Sequence, residues 1–245
     1  MAETNEVGNM SRITDPSLAR GLRRGTTRGF LHDAEQISKR LAATRVPSKT
    51  AAWFRDQVKA FGTDRFGVTL TSRITGTGKR ALYQDLIASP PVGGAGNWAI
   101  SFTQIVARTR DVDSYRVRLE IALHAIERQM QWGHRITAVA AVRDMAPALL
   151  YAIYLIVHHH YLADGVSGLP PLPEALGEDA QWLLAIEGGA LVVCRNTRQA
   201  EDPNARVVVT VLRDRDRWGS HLVSEAKQAP PPGWSFWSFW EDFQT

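Results

Sequence analysis

Three consecutive histidines, His158, His159 and His160, precede Asp164-Gly165 and then Ser167-Gly168. Imidazole is the side chain best suited to take up a proton near neutral pH, because its unperturbed pKa lies near about 6.5. Acyl transfer from a thioester needs such a base to remove the proton of a hydroxyl or amine as it attacks. His160 is the candidate base. Asp164, four residues further on, can fold back across a tight turn to hold the surrounding backbone or a basic partner, and Gly165 permits close backbone approach beside the base.

The pattern H-H-x-x-x-D-G over His159–Gly165, followed by x-S-G, resembles the signature of the chloramphenicol acetyltransferase, condensation-domain and wax-ester synthase superfamily of acyltransferases. The wax-ester branch is nearest in wording over Leu162–Leu169. The resemblance implies that His160 is the general base, His159 is mainly structural and Asp164 is an organising ion-pair residue. It also implies an acyl-coenzyme A or carrier-bound thioester as substrate, no bound cofactor, and a buried strand that delivers the histidines into a tunnel. Wax-ester and condensation members have two similar lobes, and 245 residues provide little more than one. A complete site would then need a second copy, so a homo-oligomer is expected.

The same residues admit a structural reading, in which Met145–Leu162 is a core helix ending in a histidine cluster and Asp164-Gly165 is the turn that stops it. A metal reading would combine His158 and His160 with His124 or His134, but the spacing and the lack of a carboxylate pair do not resemble a common zinc site. No metal is expected. Gly76-Thr77-Gly78-Lys79 lacks the spacing of a phosphate-binding P-loop, because positions 73 and 80 are both arginine, and reads as a plain turn.

Hydrophobic periodicity supplies the elements that must position these residues. Helical spacing marks about 31–43, and a second helix is expected after Ser48, with Phe54, Val58 and Phe61 on its buried face and Gly62 at its end. The period changes to two over Phe66–Ile74, which predicts a strand. A short helix is expected at Arg80–Ala88, a loop at Ser89–Gly96 and a strand at Trp98–Ala107. Val117–Leu123 alternates as a strand, while Leu119, Leu123, Ile126 and Met130 also fit a helical face; both readings stand, as does a turn from strand to helix near Ala122. The run Leu149–Val157 fits either type, and its branched and aromatic content favours a strand. Ala190–Arg195 and Arg206–Arg213 read as a β-hairpin around the loop Asn196–Asn204. The fold class is α+β, a mostly antiparallel sheet flanked by helices.

Composition places these elements in one domain over residues 30–228, between a flexible arginine-rich arm at 1–29 and a proline spacer with an aromatic tail at 229–245. The longest apolar run, Met145–Val157, is too short for a bilayer span of roughly 20 residues, so no membrane span is expected. The single cysteine, Cys194, rules out an intramolecular disulfide and points to a reducing, cytoplasmic setting. Arg12, Arg20, Arg23, Arg24 and Arg28 crowd the arm among glycines, which suits contact with phosphates. The rival to acyl transfer is therefore a nucleic-acid-binding or packaging protein that uses this arm, with the aromatic tail joining subunits. Trp234, Trp237 and Trp240, with Phe236, Phe239 and Phe243, are too apolar to remain in water and should dock, first of all on their own domain.

Overall fold

A computed structural model describes residues 19–20, 23–24, 67–76, 82–91, 96–106, 112–133, 135, 137–163, 181–199, 201–202, 204–213 and 227–244. The helices expected at 31–43 and after Ser48 lie outside the described residues. So do Arg12, Arg28, Asp164, Gly165, Ser167 and Gly168.

Strands β1 (Val68–Thr75), β2 (Leu82–Ser89), β3 (Trp98–Val106) and β4 (Val112–Ile121) form an antiparallel meander. Two helices follow, α1 (Leu123–Trp132) and α2 (Ala138–Ala163). Strands β5 (Trp182–Ile186), β6 (Gly189–Arg195) and β7 (Arg206–Arg213) make a second antiparallel group, and the short β8 (Lys227–Gln228) precedes the terminal helix α3 (Phe236–Gln244). The described residues form a sheet of eight strands in the order β1-β2-β3-β4-β7-β6-β5-β8. Its two halves join where Leu119–Ile121 of β4 runs parallel to Arg206–Val208 of β7.

Register shifts at Thr69/Thr71, Ala99/Ser101 and Val192/Val193 mark irregularities of the bulge type, which bend and twist the strands that carry them. The sheet is curled, and α2 touches β1 near one edge as well as β4, β5 and β6. A helix surrounded in this way must be apolar on nearly every face. Ala141, Met145, Leu149, Ala152, Leu155 and Ile156 are all buried, and more than half of Ala138–His158 lies inside the protein. That stretch is long and apolar enough by length and composition to cross a bilayer, longer than the run singled out in the sequence; here it is the core helix inside the sheet. Pro147 sits within α2 at an exposed position, where water can satisfy the carbonyl that its missing N–H leaves unbonded.

Two sequence expectations are corrected. Leu149–Val157 is helix, not strand, and the structural reading of a core helix ending in the histidines describes α2. Branched residues favoured a strand, but burial on all sides erases the periodicity that separates the two types, and only the length of the element decides. Arg80–Ala88 was expected to be helical, and its described part belongs to β2, paired on both sides by β1 and β3. Pairing on both sides, rather than local preference, sets the conformation here. The hairpin, the strand at Trp98 and the change from strand to helix at Ala122 match the structure.

Among the described residues of the arm, Ala19 and Arg23 are anchored in the folded body. Ala19 is wholly buried, and the Arg23 guanidinium donates to Glu127 of α1 at 3.1 Å with both side chains largely buried. Arg23 is therefore part of the folded body, while Arg20 and Arg24 are exposed on either side of it.

The aromatic tail docks on its own domain. Phe236 is buried, the Trp240 ring stacks on Phe102 with centroids 4.9 Å apart, and Trp234 meets Tyr151 and Tyr154 edge-on. Trp237 donates its indole N–H to Thr71 Oγ1 at 2.7 Å, and the Arg73 guanidinium lies 4.5 Å from its ring centre. Replacing Trp237 or Trp240 with alanine should each cost about 2–4 kcal/mol, less than a fully buried aromatic because both rings are partly exposed. The melting temperature should fall by the same amount at every protein concentration. A loss that disappears at high concentration would place the tail on a neighbouring copy instead.

Candidate functional site

The C-terminal half of α2, the meander and α3 enclose an apolar cavity of about 340 Å³. Ile153, Ile156 and Val157 supply the wall from α2, Leu86 and Phe102 the wall from β2 and β3, and Phe236 and Trp240 the wall from α3; Tyr115–Arg118 of β4 completes it. This volume falls at the lower end of small-molecule sites, and the lining has the apolar character such sites usually show.

An aromatic column forms one side. Tyr115, 49% exposed, stacks on Phe102 at 5.0 Å, Phe102 on Trp240 and Trp240 on Phe236 at 5.8 Å. The Trp240 indole N–H is buried without an acceptor. An unpaired buried donor costs about 1–3 kcal/mol, so a hydrogen-bond acceptor reaching this N–H would relieve a real penalty. The two arginines of β4 are committed elsewhere. Arg116 pairs with Glu120 at 2.5 Å and Arg118 with Asp202 at 3.1 Å. Glu120 also accepts from Asn97 Nδ2 at 2.9 Å and from Gln199 Nε2 at 2.8 Å, which ties β4 to the β6–β7 connection.

The sequence motif lies at the adjoining end of the same helix. His158 is wholly buried, with its ring edge-on to Tyr154 at 5.5 Å, so it is a core residue. His159 and His160 continue the helix, and by helical spacing His160 falls one turn beyond Ile156 and Val157. The buried strand that the acyltransferase resemblance implies ahead of the histidines is replaced by helix. His124 is exposed on α1 and accepts from Arg128 Nε at 3.4 Å. No group of three His, Cys, Asp or Glu side chains among the described residues is arranged to hold a metal ion.

A second polar feature was not singled out in the sequence. Cross-strand pairing aligns Ser72, Asp85 and Thr103 on one face of the meander. Tyr83 donates its hydroxyl to Asp85 Oδ2 at 2.8 Å, while Asp85 Oδ1 is buried without a partner. Burial pushes the Asp85 carboxyl up to about 6, against the lowering effect of its bonds from Tyr83 and Thr103. Burial also raises the Tyr83 hydroxyl, with the Asp85 charge and their shared hydrogen bond acting in the same direction. Neither residue has a sequence signature, since a lone acid in a strand usually faces water. The opposite face carries a ladder in which Arg73 Nε donates to Gln84 Oε1 at 2.8 Å and Gln84 Nε2 to Gln104 Oε1 at 2.9 Å, beside Trp237.

Because the folded carboxyl binds its proton more tightly than the unfolded one, Asp85 favours the fold most at low pH, and this contribution is lost as pH rises through about 6. Stability should fall by up to about 3 kcal/mol over this range, the equivalent of the shift from 3.8 to about 6. Asp85→Asn should remove that slope and be at least as stable as the parent at neutral pH. Urea titrations at a series of pH values check this, and an unchanged slope in the variant would assign the effect to other groups.

No family model, curated protein or solved structure matches this chain.

Proposed function

We propose that this protein binds the acyl chain of a thioester in the cavity beneath α3 and transfers the acyl group to a hydroxyl or amine, with His160 as general base. The observation that carries the reading is the sharing of one helix: Ile153, Ile156 and Val157 line the cavity, and His160 follows on the next turn. An apolar cavity suits a hydrocarbon chain, whose burial is worth about 0.8 kcal/mol per methylene.

In this reaction His160 takes the proton of the attacking hydroxyl or amine, a new C–O or C–N bond forms at the carbonyl carbon, and the C–S bond breaks. The proton then passes from the imidazolium to the departing thiolate, which restores the base. Asp164 and Gly165 keep the roles that the family resemblance implies for them. His158 takes no part in the chemistry, because it is enclosed in the core.

Decanoyl-coenzyme A is a direct probe. The protein should bind it and release the free thiol when an amine or alcohol acceptor is added. His160→Ala should slow thiol release by roughly 10²–10⁴-fold while binding is retained. Val157→Trp, which fills the cavity, should abolish binding with little loss of stability. If decanoyl-coenzyme A neither binds nor turns over, the reading fails. Binding with turnover indifferent to His160 would leave a carrier of acyl chains rather than a transferase.

A further inference from the structure

The far end of the molecule, around the first half of α2 and the last turn of α1, carries a different kind of site. His124, Arg128 and Trp132 follow one another at four-residue spacing, which puts them in a single row on α1. Arg128 donates to His124 at 3.4 Å and its guanidinium lies 5.2 Å from the Trp132 ring centre. Arg213, at the end of β7, approaches the same ring at 5.8 Å. Beside them an open cleft of about 600 Å³ is lined by Trp132, Arg135, Arg213 and the β5–β6 turn at Glu187-Gly188.

Arginines gather at this end in excess over carboxylates. Arg135 forks onto Asp144 at 2.6 and 3.1 Å, and Arg23 is held by Glu127, the neighbour of Arg128 on α1. That ion pair has a consequence beyond its own charges. It holds the described part of the arm to α1, with Arg20 and Arg24 exposed on either side of Arg23. In the cleft lining Arg135 and Arg213 are matched by Asp144 and Glu187, so the excess of positive charge comes from Arg128, beside the half-buried indole, and from Arg20 and Arg24 on the segment that Arg23 ties to α1.

We infer that this end of the protein binds single-stranded nucleic acid, with Arg128 and Arg213 contacting phosphates and a base stacking at Trp132 or on the guanidinium planes beside it. Planar guanidiniums pair with phosphate oxygens in a fork and also stack on flat rings, which makes arginine beside tryptophan suited to an unpaired strand. A duplex hides its base faces and offers phosphates and groove edges instead, neither of which can stack on an indole. The nucleic-acid contact then lies on a built surface of the folded body, to which Arg23 is tied through Glu127. It depends on neither the cavity nor His160.

Fluorescence anisotropy of the full chain with labelled oligouridine, oligothymidine and a duplex of equal length tests the inference. Either single strand should bind at low salt, and more tightly than the duplex. Arg128→Gln and Arg213→Gln should each weaken binding and reduce the log–log salt slope by roughly 0.7, the value for one lost phosphate contact on a single strand. Trp132→Ala should weaken binding about 5- to 100-fold with the slope unchanged, since stacking is not a counterion effect. Trp132 also packs against the core, so circular dichroism must show that its variant folds. The two arginine variants test the same surface without that risk. No binding at low salt, equal affinity for the duplex, or full affinity in the Arg128→Gln/Arg213→Gln double variant would overturn the inference.

Discussion

Enclosure of α2 is the constraint on which the other elements depend. A helix of 26 residues that is apolar around most of its circumference cannot rest on a flat sheet, which would cover only one side. Here the sheet curls about it, α1 packs beside it and α3 closes part of the remaining gap. The irregular pairings in β1, β4 and β6–β7 are the local means of bending a sheet this far. The close turn between β5 and β6 contributes too. Gly188 adopts a positive φ of 69°, and a Cβ on Gly189 would fall 2.1 Å from the Leu212 carbonyl oxygen of β7.

The meander shows how one sheet can place polar groups on both sides of an apolar core. One face of β2 contributes Asp85 and Tyr83, and the other contributes Gln84, which is completely buried between Arg73 and Gln104. Gln84 is satisfied from both strands and carries little electrostatic tension. Asp85 is not, since one of its oxygens remains unpaired. A satisfied amide ladder fixes strand register, whereas a half-satisfied acid holds free energy that depends on its protonation. The position of α3 above the amide ladder, with Trp237 bonded to Thr71, joins the terminal segment to this register.

Legibility in the sequence followed the physical basis of each signal. The β6–β7 hairpin could be read because alternation and a polar loop are local properties, and the docking of the aromatic tail because so much apolar area cannot remain in water. The β2 strand and the α2 helix were misread because pairing on two sides or burial on all sides removes the contrast between faces that periodicity measures. Arg23 looked like one more arginine in a mobile stretch, since its partner Glu127 lies 104 positions away. Asp85 could not be found at all: what makes it unusual is the lack of water around it, which no residue spacing encodes. For the histidine cluster the sequence indicated the types and the chain order, and the structure adds that His158 belongs to the core while His160 follows the cavity wall on the same helix.

The parallel union of β4 with β7 also governs the order in which the chain can fold. The meander needs only neighbours in sequence and can form as soon as it is made. The surface that covers the rest of α2 comes from residues 182–213 and 236–244, which are synthesised after it. Until β7 reaches β4, this long apolar helix has half an enclosure, and contacts of such wide separation close slowly. A nascent chain at that stage presents a greasy rod to its surroundings, an attractive substrate for chaperones and a source of aggregation if synthesis stalls.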